Sequence, residues 1–471
     1  MEWSAADPLK TMKHLDKKSG EKIAVLGLGK EGLDLLRFLN KMRIKPAGLD
    51  AQAIKPGSTQ AREILRWTSA LHLGKHYLDQ LSDFDLVFRS PGVPLDLPQI
   101  KAAKRRGVIF SSLTQLFFDL CPAKIVGITG TKGKSTTTAL IYHIVKGRNG
   151  GRVYFGGNIG YPPLLLLPKL TKQDVAILEL SSFQLEDLTR SPQIAVVLNI
   201  VPEHLNRHKT FAKYLDAKLN LVCYQTKNDY VVIGADHPMA PAVAKLTPGK
   251  LVKYSVRKIL PRGLYLANNE MVYRDITTGR RAIIADIAFS PLVGQHNLEN
   301  VLAAVTVALL LGIKPERIKE RLKTFTPLEH RLEPAGEKGQ VNFINDSLAT
   351  TPVATIAALE TQTGPVTLIL GGSSKKENFK ELVNLLSSRP IQGIVLIGDT
   401  ADKLFKSLKT AKVKFPFAKA KDFPEAVRMA YAYARPRGTV LFSPACASFG
   451  WFKDAYDRGS QFKKLVKQLK S

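Results

Sequence analysis

Short, unbroken apolar runs alternate along this chain with longer stretches in which apolar residues recur every three or four positions. The first pattern predicts strands covered on both faces, the second amphipathic helices. Lys22–Leu26 is the first such run. GLGKEG follows, then a helical pattern on Leu33, Leu36 and Leu39, then a second strand ending at Asp50. The strand DLVFRSPGVP and a helix around Ser112 to Asp119 complete a doubly wound α/β unit. AKIVGITG opens a second unit as a strand, a glycine-rich loop and a helix from Thr136 onward. VAILELS and IAVVLNI are continuous runs and predict central parallel strands. VRKILPRGLYLANNEMVYRDI predicts hairpins on an edge, and GQHNLENVLAAVTVALLLG a helix with a small-residue face. After TPLEHRLEP a third α/β unit carries VNFIND, VTLILGG, GIVLIGD and GTVLFSPACASFG as strands with helices between. The expected class is α/β in three domains, at 1–112, 113–327 and 328–471. A chain of 471 residues is too long for one ordinary core.

The stretch GITGTKGKSTT, Gly127 to Thr137, carries the first chemistry. It ends like the phosphate-binding pattern G-x-x-x-x-G-K-[ST], but Ile128 stands where that pattern has its first glycine. A strand precedes the loop and a helix follows. Backbone N–H groups from Gly130 to Ser135 are therefore expected to face phosphates, helped by the partial positive charge of a helix N-terminus. Lys134 would neutralise phosphate oxygens, and Ser135 or Thr136 would hold Mg²⁺ through a hydroxyl. The bland alternative is a glycine-rich turn. Gly27, Gly29 and Gly32 stand in G-x-G-x-x-G spacing, with Asp50 where a dinucleotide fold puts its ribose-binding acid. This second signal fits either NAD binding or a tight turn without a ligand. Glu179 ends a buried strand beside the phosphate loop, as a Mg²⁺ ligand or a helix-capping carboxylate. His204 follows another strand end, as a site residue or a structural histidine.

Composition narrows this picture. Hydrophobic content of 45% and charged content of 23% are those of a soluble globular protein. PPLLLLPKL from Pro162 is too short for a membrane span, and the first 22 residues lack the apolar core of a signal peptide. Three scattered cysteines make neither a disulfide framework nor a metal knuckle. A cytoplasmic protein is expected, without stable membrane insertion. The formal charge of +29 suggests an anionic partner or simply a basic solvated surface. The lysines do not interleave with aromatics as a nucleic-acid platform would, so no nucleic-acid partner is expected.

GITGTKGKST, GGNIG, ELSSFQLE, the His204 segment, HNLEN, EHRLE, INDSLAT, LILGG and SPACASFGWFKDAYDRGSQF occur in this order. In these motifs, and over essentially its whole length, the sequence resembles the Mur ligases, nearest to their glutamate-adding branch. That family writes the loop TG-[ST]-x-GK-[ST], so Gly130 serves where Ile128 cannot. The resemblance implies a UDP-binding Rossmann-like domain, a central P-loop ATPase domain with a mostly parallel sheet, and a C-terminal Rossmann-like domain that binds the amino acid. It implies ATP-dependent, ADP-forming ligation of D-glutamate to UDP-N-acetylmuramoyl-L-alanine through an acyl phosphate, in peptidoglycan precursor synthesis, by a monomer.

The same resemblance assigns residues. Gly130, Thr131, Lys132, Gly133, Lys134, Ser135 and Thr136 would bind ATP, with Asn297, Asn300, Arg331 and Asp346. Ser135, Glu179, His204 and Lys218 would hold two Mg²⁺, Lys218 as a carbamate. Lys134, His204 and Lys218 would be the catalytic set. Leu28, Lys30, Glu31, Gly92, Asn158 and Ser181 would hold the UDP-sugar, and Thr350, Lys375 and Ser448 the amino acid. Closure of the C-terminal domain would complete the site. Leu348 replaces a lysine usual in the D-glutamate enzymes, Ser373–Lys376 lack an acidic residue, Ala455 replaces an aromatic beside Tyr456, and Gln52 replaces an arginine. These departures leave L-glutamate open as the acceptor. A folylpolyglutamate-synthase-like ligase is a more distant alternative, since that family lacks the GLGKEG domain.

Overall fold

The computed structural model describes residues 21–53, 59–158, 161–292, 294–326, 329–373 and 378–469. The chain divides into two compact units, Met1–Ser290 with Gln295–Phe325, and Pro291–Gly294 with Thr326–Ser471.

The first unit contains two sheets. Strands β1 (Ile23–Leu26), β2 (Ala47–Asp50), β3 (Leu71–Leu73), β4 (Leu86–Arg89) and β5 (Ile109–Ser111) form a parallel sheet in the order β3-β2-β1-β4-β5. All four residues of β1 and of β4 are buried, which is why β1 reads as an unbroken apolar run and β4 as one that ends in the buried Arg89. Helix α1 (Lys30–Lys41) buries Leu36 and Leu39 completely, while Leu33 is only partly covered. Each fully buried leucine contributes roughly 2 kcal/mol.

The second sheet has nine strands: β6 (Lys124–Thr129), β7 (Val153–Gly157), β8 (Val175–Glu179), β9 (Ile194–Val197), β10 (Tyr230–Gly234), β11 (Lys250–Ser255), β12 (Gly263–Ala267), β13 (Glu270–Arg274) and β14 (Arg281–Asp286). Their order is β14-β13-β12-β11-β10-β9-β6-β8-β7, with β6 at the parallel centre. The predicted edge stretch forms the antiparallel hairpin β12–β13, and β14, beyond that stretch, adds a second antiparallel pair with β13. Asn268 and Asn269 join the first pair as a two-residue turn, both at positive φ, the conformation a tight hairpin needs and asparagine tolerates. One apolar core runs through both sheets' layers. It joins Val25, Leu36 and Phe88 to Leu113, Phe117, Leu178, Val197 and Leu221.

The second unit has six strands: β15 (Glu333–Lys338), β16 (Val341–Asn345), β17 (Val366–Gly371), β18 (Ile391–Ile397), β19 (Phe417–Lys419) and β20 (Gly438–Phe442), in the order β15-β16-β20-β17-β18-β19. Only the β15–β16 pair is antiparallel. Its two faces carry separate clusters, one around Phe343, Phe423, Phe442 and Phe462, the other around Leu368, Leu382, Leu396 and Leu404.

Candidate active site

Helix α2 (Lys134–Val145) starts two residues earlier than the pattern predicts, because Gly133 turns the chain at φ 84°. A Cβ there would lie 2.2 Å from Asn300 Oδ1. Gly130 has φ 151°, and a Cβ there would lie 2.7 Å from Leu198 Cβ. Both glycines are therefore required by close approach, and Gly130 occupies the tight spot beside β9's exit. Asn300, on helix α3 (Gln295–Leu310), accepts from Thr137 Oγ1 at 3.1 Å and donates to Asn297 Oδ1 at 3.2 Å. Both asparagines are thus fixed beside the loop. Lys134 Nζ folds back to donate to the carbonyls of Gly130 and Thr131 at 3.1 and 2.9 Å. Ser135 and Thr136 lie in the first helical turn, and Lys132 pairs with Glu203 at 2.7 Å.

One detail of the loop differs from the expectation. The Thr131 amide donates to Asn199 O at 2.9 Å and is not directed at a phosphate. Thr131 Oγ1 donates to Val201 O at 3.0 Å, accepts from the Val201 amide at 2.9 Å and lies 3.1 Å from Tyr214 Oη. Its short polar side chain satisfies the loop that leads to His204.

Glu179 ends β8 and sits opposite Ile128 of β6, next to the loop. Its Oε1 accepts from Asn158 Nδ2 at 3.0 Å; its Oε2 is buried with no hydrogen-bond partner among the described residues. It caps no helix, so the capping alternative falls. Lys218 lies on the helix Phe211–Cys223 and is 1% exposed.

 Its ammonium donates to Gly130 O at 2.7 Å and to Thr129 Oγ1 at 3.4 Å, and lies 4.8 Å from the centre of the Tyr214 ring. Burial holds its pKa well below the ordinary lysine value, and the nearby Lys134 charge adds to this; Glu203 and Glu179 oppose it.

His204 sits at φ 56° and caps the single turn Leu205–His208. Partial burial lowers its pKa, with Lys218, Lys134 and Lys132 acting in the same direction against Glu203. A neutral imidazole, the form that binds metals, is the result at neutral pH. Its neighbour His208 stacks on Phe183 at 5.2 Å and is lowered to about 4 by desolvation. The unpaired Glu179 oxygen, the Ser135 hydroxyl and the neutral His204 ring are donors of the kind a hard divalent cation accepts. Lys218 as an ammonium does not fit such an ion, whereas its carbamate would. Among the described residues, no three His, Cys, Asp or Glu side chains cluster at metal-binding spacing.

The residues assigned to the UDP-sugar surround the first sheet's loops. The Leu28 amide donates to Asp50 Oδ2 at 2.6 Å, and the Gln52 amide to Asp50 Oδ1 at 2.8 Å. Asp50 therefore stiffens the loop with both oxygens. Lys30 opens α1 and is exposed, as is Gly92 in the loop after β4. Glu31 accepts from Gln184 Nε2 at 2.8 Å, and burial raises its pKa. Ser181 is the N-cap of the turn Ser182–Leu185 and forms a reciprocal capping box with Gln184. Asn158 is tied to Glu179 by its side chain and, at 2.9 Å, by its amide.

In the second unit Asp346 is buried after β16. It accepts from Ser443 Oγ at 2.8 Å and from the Leu332 amide at 3.3 Å. Desolvation raises its pKa to about 7, against the opposing pull of Ser443 and the Arg331 charge. Thr350 is half-buried and Ser448 buried. Lys375 lies outside the described residues. The sequence reading missed Arg458, whose side chain is fully buried and donates to Ser347 Oγ and to the carbonyls of Ser347, Cys446 and Ala447. It braces the segments bearing Asp346 and Ser448. The arginine in DAYDRGSQF was visible, but its burial was not.

A phosphate loop and a buried carboxylate at the C-terminal edge of a parallel sheet define a nucleotide-binding α/β protein. Family profiles described as Mur ligase MurD-like, N-terminal domain, Mur ligase middle domain, and Mur ligase, glutamate ligase domain match residues 21–111, 128–308 and 330–446. The chain is 38% identical over 455 residues to the UDP-N-acetylmuramoylalanine--D-glutamate ligase of Symbiobacterium thermophilum, covering 96% of this chain and 99% of that protein. It is 37% identical over 462 residues to the enzyme of the same name from Acetivibrio thermocellus, covering 97% and 98%. The chain belongs to the Mur ligase family, whose members are ATP-dependent ligases. Among solved structures, the UDP-N-acetylmuramate-alanine ligase of Thermotoga maritima matches with a TM-score of 0.56 at 19% identity, covering 96% of this chain and 100% of that one. The pseudomurein peptide ligase type C of Methanothermus fervidus matches with a TM-score of 0.56 at 18% identity and the same coverage. These two likenesses establish the fold.

Proposed function

We propose that this chain joins D-glutamate to UDP-N-acetylmuramoyl-L-alanine, with ATP converted to ADP and phosphate. The observation that carries this reading is the 38% identity to a ligase of that name across 99% of its length. A carboxylate is a poor electrophile. Transfer of the γ-phosphoryl group to the alanyl carboxylate gives an acyl phosphate, in which phosphate is a good leaving group. The α-amino group of glutamate attacks the carbonyl carbon, the C–O bond to phosphate breaks, and the amine proton leaves to solvent or phosphate. Lys134, released from the carbonyls of its own loop, would turn to the transferring phosphoryl group and offset its growing negative charge.

When bound, Mg²⁺ would neutralise phosphate charge; Ser135, Glu179, His204 and a carbamylated Lys218 would hold two such ions. The low pKa of Lys218 favours the neutral amine, the form that adds CO₂. Arg331 and Asp346 are assigned to the nucleotide, and Thr350, Lys375 and Ser448 to glutamate. Leu28, Lys30, Glu31, Gly92, Asn158 and Ser181 are assigned to the UDP-sugar. No helix among the described residues is long and apolar enough to cross a membrane. A cytoplasmic monomer is the corresponding proposal.

The test is phosphate release. It is expected only when ATP, UDP-N-acetylmuramoyl-L-alanine and glutamate are all present. No stimulation by any amino acid would sink the reading. D- and L-glutamate are run side by side, because Leu348 and Ala455 stand where D-glutamate enzymes usually have other residues. Preference for L-glutamate would correct the acceptor while keeping the ligase.

A further inference from the structure

The loop after β4, Ser90–Asp96, carries Gly92 and is held from two sides by arginines. Arg89, at the end of β4, is completely buried. It donates to Val93 O at 2.7 Å, to Ser90 O at 3.4 Å and to Pro91 O at 3.5 Å. Its opposite edge meets Asp187 at 2.9 Å. Arg207 approaches from the other sheet's side. Its Nη2 donates to the same Val93 carbonyl at 3.0 Å and to Pro91 O at 3.3 Å. Glu186 lies between the two guanidinium groups, 3.9 Å from Arg89 and 3.6 Å from Arg207. Two like charges thus converge on the same carbonyls, with two acidic residues compensating them.

Arg207 also belongs to the turn that presents His204. Its amide donates to His204 O at 2.9 Å, and its guanidinium lies 5.8 Å from the Phe183 ring, which packs 5.1 Å from the His204 ring. On the far side, Ser90 Oγ donates to Gly27 O at 2.7 Å. A continuous set of contacts therefore runs from the GLGKEG loop through Ser90–Asp96 and Arg207 to His204.

We propose that Arg207 is a positioning residue that fixes the His204 turn to the Ser90–Asp96 loop, so that a nucleotide diphosphate-sugar held at that loop orders His204. This rests on the reading of Gly92 and His204 given above. A planar, forked guanidinium can donate to two carbonyls at once, and an ammonium reproduces the charge without that geometry. Arg207→Gln and Arg207→Lys should therefore both break the coupling, while Arg207→Lys keeps the charge balance with Glu186.

The experiment is amide hydrogen exchange with UDP as the probe, without ATP. In the wild type, UDP is expected to slow exchange in peptides covering Ser90–Asp96 and also in those covering His204–Lys209. In both variants, protection should survive in the first and disappear from the second. In steady-state assays the variants should need about tenfold more Mg²⁺ for half-maximal rate. If UDP protects the His204 peptides equally in wild type and Arg207→Lys, the inference is wrong. It is also wrong if UDP protects only Ser90–Asp96 in the wild type. Protection of neither segment in the wild type would overturn the assignment of Gly92 to the UDP-sugar as well, which separates the two failures.

Discussion

Lys218 is a cation buried beside another cation, with a backbone carbonyl and an aromatic face as its nearest company. Conversion to a carbamate would reverse its charge and remove that conflict. Lys218→Ala is expected to lower the rate of phosphate release by roughly 100-fold or more. Full activity in that variant would refute the assignment, and a wild-type rate that rises with added bicarbonate would support it. Asp346 gives a test of stability. Its pKa is raised from 3.8 to about 7 by burial, so the folded chain holds a proton that the unfolded chain releases. Its contribution is full below about pH 4 and is lost as the pH rises through about 7. Between those limits the second unit should lose stability with rising pH, by roughly 4 kcal/mol at most. Asp346→Asn should flatten that slope in urea titrations; an unchanged slope would contradict the account. At this scale the sequence showed residue types but not their engagements. Thr131 and Ser181 are assigned to ligands by resemblance, and the fold adds that their side chains also shape loops. Lys218 was one lysine among many until resemblance singled it out, and only the fold revealed its burial.

Among the elements, the glycine loop and its helix were the most legible, because φ values that favour glycine leave a mark in sequence. Gly133→Ala would force a Cβ into Asn300 Oδ1 at a backbone angle that alanine avoids. The expected outcome is a KM for ATP raised at least about tenfold, read from initial rates; an unchanged KM would mean that Asn300 yields easily. Strands β1, β6, β8 and β9 were legible because burial on both faces keeps their interiors free of polar side chains, so that Lys124, Thr129 and Glu179 stand only at strand ends. The Asn268-Asn269 turn was present in the sequence as an explicit signal, in the stretch assigned to hairpins. Strand order was not legible. β9 lies between β6 and β10 while β8 lies on β6's other side, and such long-range pairing has no local signature.

At the scale of the whole molecule, the two units have their own cores. Urea unfolding followed by both tryptophan fluorescence and circular dichroism should therefore show more than one transition. Coincident curves from both probes, fitting one transition, would contradict this. The sequence divides the first unit into two domains at residue 112, and family profiles divide it similarly. The apolar core ignores that division, since Val25, Leu36 and Phe88 share one cluster with Leu178, Val197 and Leu221. Recombination between relatives meets this shared interior directly. A chimaera that takes residues 21–111 from one homologue and the rest from another inherits two halves of a core shaped in different lineages. The crossover that looks cleanest in sequence is thus a poor place to splice, and the junction near residue 325, between the two units, is the better one.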